Sequence, residues 1–221
     1  MNTILQVDMY SDYNPKDYYY ITSIDVGVRH LGISFSEVNH DFTLRQVIWF
    51  DCIDITSFVH LNDESKKSCS LYHAKTFCDY LEHVFYLHSE LFDASFQILI
   101  ERQPPQGYVV VEQLIFYRFR EKVTLISPNS VHAFFNWGRT VDYEKRKYYS
   151  EQVAELQLRD KPRAYLLQDF RCHPRKHDIS DSICIVLYWC AKKNRTWLIQ
   201  EEKKRCCHVD ATSLEQFIFY G

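Results

Sequence analysis

The sequence predicts a single α/β domain: a mixed five-stranded sheet, opening as an antiparallel meander and continuing with parallel strands, flanked by helices. Three observations predict it. The runs at 18–26, 31–38 and 44–53 are β-branched and aromatic and follow one another closely, as neighbouring antiparallel strands do. Helical and strand patterns then alternate, an order that implies parallel pairing. Finally, 221 residues with 46% hydrophobic and 16% aromatic content can bury one full core. The expected domain is 1–221, with a core at about 20–193 and a C-terminal extension at 194–221.

The first run, YYYITSIDV, ends at Gly27, and LGISFSEV and LRQVIWFDCI complete the meander. Between Leu71 and Phe92, apolar residues at 74, 77, 78, 81, 84, 85, 87 and 91 recur every three or four positions, which predicts one long amphipathic helix. FQILIE, 96–101, is a short apolar run closed by an acid and then by Pro104, Pro105 and Gly107, the pattern of a buried strand with a polar tip. YVVVEQLIFYRFRE reads as a helix and VTLIS, 123–127, as a strand stopped by Pro128. A mostly helical basic stretch follows from 129 to about 160. The run DISDSICIVLYWCAKK, from Asp178, has acids in its first turn and a Lys pair at its end, charges that suit a helix dipole. The placement of 200–221 is left open.

Only five Gly and six Pro are present, so no linker or low-complexity tract divides the chain. The first twenty residues carry Asp8, Asp12, Asp17 and five Tyr. They do not have the basic start and apolar run of a secretory leader, and are expected to form a ragged entry to the first strand. No stretch has the roughly 18 apolar residues of a membrane-spanning helix. Eight Cys without a leader suggest reduced thiols in an intracellular compartment rather than a disulfide scaffold. A zinc site built from Cys206, Cys207, His208, Cys172 and His173 is disfavoured, because the sequence contains no C-x-x-C pair.

The formal net charge of −3 does not by itself announce a nucleic-acid binder, but its distribution is uneven. From Arg139 to Lys176 there are ten Lys or Arg against six acids, and Lys192, Lys193, Arg195, Lys203, Lys204 and Arg205 form a second cluster. Such clusters can neutralise phosphates or simply solvate a helix face. Phe134, Phe135 and Trp137 could stack on unpaired bases, though core positions are the more ordinary use.

Acids provide the chemical signal. Asp25 interrupts the apolar first strand, where an uncompensated buried charge would cost several kcal/mol. Glu101 directly follows FQILI, so two strands each carry an acid beside their most apolar stretch. Asp178 and Asp181, three apart at a helix start, place both carboxylates on one face within about 5–6 Å. Taken singly, Asp25 could serve a turn, Glu101 could pair with Arg102 or Arg118, and Asp178 could cap a helix. Together, four converging carboxylates repel unless cations lie between them, and hard oxygen donors suit Mg²⁺ or Mn²⁺. Two ions about 3.5–4 Å apart would complete such a site.

Four strings in this order resemble the RuvC-like Holliday junction resolvases of the RNase H-like superfamily, especially those of poxviruses and other large DNA viruses and their mitochondrial relatives. IDVGVRHLGIS resembles the family's first strand with its metal-binding Asp, here Asp25. ILIERQPPQG resembles the segment bearing the second acid, here Glu101, and KHDISDSI the closing K-x-D-x-x-D element with Asp178 and Asp181; SPNSV resembles the strand-to-helix corner before it. YEKRKYY, 143–149, is similar to the basic helix that viral members turn toward DNA, making Lys145, Arg146 and Lys147 candidate phosphate contacts. The resemblance covers about residues 20–193; the Tyr-rich N-terminus and the last 28 residues have no recognised counterpart.

The resemblance implies a homodimer that nicks a four-way junction symmetrically, using two Mg²⁺ per active site with Mn²⁺ as a substitute. It implies no small-molecule cofactor and no membrane. If the chain is viral, the expected location is a cytoplasmic replication site in the host cell. Asp25 would bridge both metals, one activating water and the other stabilising the leaving 3′ oxygen. Adjacency to Asp178 makes Lys176 or His177 a candidate to protonate the leaving group. Alternatives stay open: a nuclease acting on RNA:DNA hybrid or another branched repair intermediate, and a non-catalytic DNA-binding protein on the same fold. An ATP-binding protein of the actin-like fold is disfavoured by length and by the five Gly.

Overall fold

A computed structural model describes residues 17–57, 69–137, 141–159 and 164–218, with side chains through residue 200. Strands β1 (Tyr18–Val26), β2 (His30–Asn39) and β3 (Leu44–Asp54) form the expected meander. Helices α1 (Phe77–Leu87) and α2 (Ser89–Ala94) lead to β4 (Gln97–Glu101). Then come α3 (Val109–Arg118), a 3₁₀ turn at Arg120–Lys122, β5 (Val123–Ile126) and α4 (Pro128–Phe134). Helices α5 (Tyr143–Arg159), α6 (Ala164–Cys172) and α7 (Lys176–Ile218) follow. The sheet order is β3-β2-β1-β4-β5, with β1 antiparallel to β2 and parallel to β4, and β4 parallel to β5.

One expectation is corrected. The helix predicted from Leu71 starts only at Phe77, because Thr76 accepts from the Asp79 backbone while Asp79 accepts from the Thr76 N–H, a reciprocal box that fixes the first turn. It also breaks at His88, whose φ of −116° leaves the helical region. The backbone after the last acid, whose placement the sequence leaves open, continues α7 through residues 176–218. The entry segment before Asp17, and the side chains of Lys203, Lys204, Arg205, Cys206, Cys207 and His208, lie outside the described residues.

Alternation along the central strands sends neighbouring residues to opposite faces. Ile24, Val26, Ile98 and Ile100 pack with Leu81, Val84 and Phe85 of α1 and Val111 and Ile115 of α3. Ile21 and Leu99 meet Cys184, Ile185 and Trp189 of α7 on the other side. A third cluster joins Val47 and Phe50 of β3 to Ala154 and Leu158 of α5, Phe170 of α6 and Ile183 of α7. Phe135 and Trp137 belong to the α7-side core, their rings stacked at 4.6 Å, while Phe134 is 46% exposed. The six described cysteines, 52, 69, 78, 172, 184 and 190, are free thiols. No helix among the described residues is long and apolar enough to cross a membrane.

Candidate active site

The strand alternation that turns Ile21 toward α7 also turns Ser23 and Asp25 there. Asp25 pairs with Gly32 of β2, and the parallel register Ile24↔Ile100 places Glu101 beside Asp25 at the ends of β1 and β4. The start of α7 crosses directly above. A Cβ on Gly32 would sit 2.1 Å from the Asp178 carbonyl oxygen, so only glycine admits the helix backbone at this distance. Further along the seam, Ser23 donates to the Ser182 carbonyl at 2.8 Å and accepts from Ser34 at 2.7 Å. Ser180 and Ser182 are fully buried and donate back to carbonyls of their own helix, both at 2.7 Å. Small side chains on both partners therefore let α7 settle close enough for Asp178 and Asp181 to join Asp25 and Glu101.

All four acids are half-buried. Burial, then repulsion from Glu101 and Asp181 and a hydrogen bond shared with Glu101, raises the Asp25 carboxyl well above the ordinary range. Glu101 is raised chiefly by burial, partly offset by hydrogen bonds from Asp25 and from Gln103, whose Nε2 donates at 3.0 Å. The Asp181 carboxyl is pushed up to about 7, mainly by burial and then, against the Ser150 hydroxyl that lowers it, by repulsion from Glu101 and Asp178. A cluster short of positive charge in this way is chemically suited to a divalent cation with hard oxygen ligands. The ring is open: among the described residues, no three of these acids bring ligand oxygens within 4.8 Å of one another.

Surrounding groups hold the acids in place. Asp178 accepts from Arg175 Nε at 2.6 Å and from the Cys52 thiol at 3.3 Å. Burial, followed by the negative field of Asp178, pushes that thiol up to about 12, so Cys52 is a neutral donor rather than a nucleophile. Behind Glu101, the buried Glu112 carboxylate of α3 accepts the Gln103 backbone N–H and so anchors the loop after β4.

The predicted cations separate. Lys176 forms a 2.8 Å ion pair with Glu151 of α5. His177 does reach Asp178, at 3.1 Å, and burial lowers its pKa. Lys145, Arg146 and Lys147 do not form one patch, because successive helical positions are about 100° apart. Lys145 is exposed and pairs with Asp142 at 3.3 Å. Arg146 is half-buried and lies close enough to His132 of α4 to lower that imidazole's pKa, after burial. Lys147 packs 4.2 Å above the Tyr143 ring, and its charge is felt by Asp178, Asp181 and His177. With Ser150 three residues on, it gives α5 a face toward the acids. Cys52, Arg175, Ser150 and Glu112 were not anticipated; the two serines of GISFS, alternating with Gly32, were the one sequence sign of a close-packed seam.

This arrangement of strands, crossing helix and acids is an RNase H-like fold. Among solved structures it is similar to the fowlpox virus resolvase in complex with substrate Holliday junction DNA (TM-score 0.53, 15% identity, covering 78% of this chain and 97% of that one). It is similar to the fowlpox virus Holliday junction resolvase in a second structure (0.54, 13%, 78% and 99%) and to the yeast mitochondrial Holliday junction resolvase (0.56, 15%, 86% and 85%). No protein-family model matches the sequence, and no curated protein matches it. The likeness is one of fold, carried by structure at identities too low for sequence comparison.

Proposed function

We propose that the chain is a divalent-metal-dependent endonuclease that resolves four-way DNA junctions by paired symmetric nicks as a homodimer. The observation that carries this reading is the convergence of Asp25, Glu101, Asp178 and Asp181 at one end of the sheet, with Arg175 paired to Asp178 and Lys147 in the field of the acids. The fowlpox virus protein of the same fold has been captured with junction DNA, which favours this substrate over a linear duplex. Two active sites related by a two-fold axis would suit a two-fold symmetric junction.

Asp25, Glu101, Asp178 and Asp181 would hold Mg²⁺, which when bound supplies an activated water and offsets charge on the scissile phosphate. The protein's own residues set the stage for that. Ser150 keeps Asp181 oriented, Arg175 and Cys52 keep Asp178 oriented, and Gln103 does so for Glu101. Lys147, whose charge acts on Asp178 and Asp181, would meet the added charge of the reacting phosphate. His177, its pKa lowered by burial, lies beside Asp178 at 3.1 Å; its role is to pack against that carboxylate. Exposed Lys145, Lys192, Lys193 and Arg195 remain for the DNA backbone.

The test is cleavage of a labelled four-way junction by wild type and Asp181→Asn, with Mg²⁺ and with chelator, against linear duplex and RNA:DNA hybrid. Symmetric ligatable nicks that disappear in the variant and in chelator are expected. Preferential cutting of hybrid would move the substrate while keeping the site, and binding without cutting would make the chain a DNA-binding protein.

A further inference from the structure

A second cluster of ligating side chains lies across the sheet from the carboxylates. Cys69 and His73 sit on the segment leading into α1, and His83 projects from that helix with only 4% of its surface exposed. His73 Nε2 is 3.1 Å from His83 Nε2, and Cys69 Sγ is 3.6 Å from the same nitrogen. The three ligand atoms all lie within 4.8 Å of one another, and among the described residues no other trio of Cys, His, Asp or Glu does so.

His83 Nδ1 is 2.6 Å from the Asp79 carbonyl oxygen, a pure acceptor, so Nδ1 carries the proton and Nε2 presents its single lone pair to the cluster. His73 and Cys69 both converge on that lone pair, which can accept well from only one of them. A cation in the middle satisfies all three. Around tetrahedral zinc, with Zn–N about 2.0–2.1 Å and Zn–S about 2.3 Å, two nitrogens stand about 3.3 Å apart and a nitrogen and sulfur about 3.6 Å apart. The observed edges of 3.1 and 3.6 Å match that figure closely.

The local backbone is built to hold the trio. Lys75, in the left-handed region at φ 62°, bends the segment immediately before the Thr76 cap. Asp79 then caps Thr76 with its side chain and orients His83 with its carbonyl, the hydrogen-bonded support that metal-bound histidines ordinarily have. One thiol and two imidazoles form a borderline-soft set that suits zinc and not the hard ions expected at the carboxylates.

We propose that Cys69, His73 and His83 bind one zinc ion, tying the segment before α1 to the helix. Binding displaces the Cys69 thiol proton to solvent, leaving the thiolate as ligand. The proposal is independent of the nuclease reading, since the two clusters occupy opposite faces of the sheet.

The test uses the untagged full chain, purified from zinc-supplemented medium without chelator and assayed for metal by mass spectrometry. One zinc per chain is expected in wild type and in Asp25→Asn/Asp181→Asn. Loss of that zinc is expected in Cys69→Ser and His73→Gln, half-buried positions whose substitution spares the core, with circular dichroism confirming the fold. Cobalt titrated into the zinc-free protein should give a thiolate charge-transfer band and intense tetrahedral d–d bands, the former absent in Cys69→Ser. A wild type without zinc or cobalt bands overturns the proposal. So does zinc retained in Cys69→Ser, or zinc lost in the carboxylate variant.

Discussion

Toward α7 the sheet presents Ser23, Gly32, Ser34 and Ser36, whereas toward α1 and α3 it presents Ile24, Val26, Ile98 and Ile100. The second face is packed as a core should be, with large side chains buried to 5% exposure or less, each contributing roughly 1.5–3 kcal/mol. The first gives up apolar volume so that a helix backbone can approach within contact of a strand. The difference teaches where stability and chemistry are separately lodged: the α1 face carries stability, and the α7 face spends some of it on bringing four acids together.

The strongest test of that division is Asp181→Asn. Cleavage should fall below detection, yet the metal-free protein should become more stable at pH 8. A carboxyl whose folded pKa of about 7 exceeds its unfolded value binds more protons folded than unfolded between the two. Metal-free stability therefore declines as pH rises from about 4 to about 7 and stays low above that. For Asp181 the loss is at most about 4 kcal/mol, shared with its coupled neighbours. Denaturant melts in chelator across this range should show the decline in wild type and a weaker one in the variant. Mg²⁺ should restore wild type far more than the variant, by binding linkage. A variant no more stable than wild type at pH 8 would break the comparison.

On the opposite face, Leu81→Ala removes a side chain 1% exposed and should cost about 2–5 kcal/mol. Cleavage per folded molecule should stay unchanged, measured after correcting for the folded fraction. Gly32→Ala is the mixed case. Its added methyl meets the Asp178 carbonyl, so overpacking of roughly 1–3 kcal/mol should come with a loss of cleavage, because the displaced residue is itself one of the four acids. If Gly32→Ala lost stability alone, the close seam would be ordinary packing.

The same contrast explains what the sequence could disclose. Asp25 and Glu101 were legible because a charge at the end of an apolar strand has few structural uses, and Asp178 with Asp181 because three-residue spacing fixes a shared helical face. The order of elements along the chain followed from periodicity and turn residues. The Cys69, His73 and His83 trio was not legible: an apolar repeat beginning at Ala74 suggested one helix from Leu71, which would have carried His73 and His83 along one rigid rod. The Thr76 and Asp79 capping box stops the helix there, and the freed segment folds back. Nor could the sequence divide the three basic residues of α5, since which of them faces the acids depends on how Ser150, Ala154 and Leu158 rotate that helix into the core.

That division yields the smallest expected effect and the finest test. Lys145 is 67% exposed and its partner Asp142 is 57% exposed, a surface pair worth little to stability. Lys145→Ala should lower the slope of log affinity against log salt by up to about 0.9 on duplex arms and leave turnover at saturating junction unchanged. Lys147→Ala should do the reverse in emphasis: its ammonium lies in the field of Asp178 and Asp181, so turnover should drop while the salt slope moves less. In the metal-free protein the variant should also lift the Asp181 carboxyl further, since Lys147 now lowers it, and extend the decline of stability to higher pH. Equal salt slopes and equal turnover in the two variants would mean that the α5 cations act as one undivided patch.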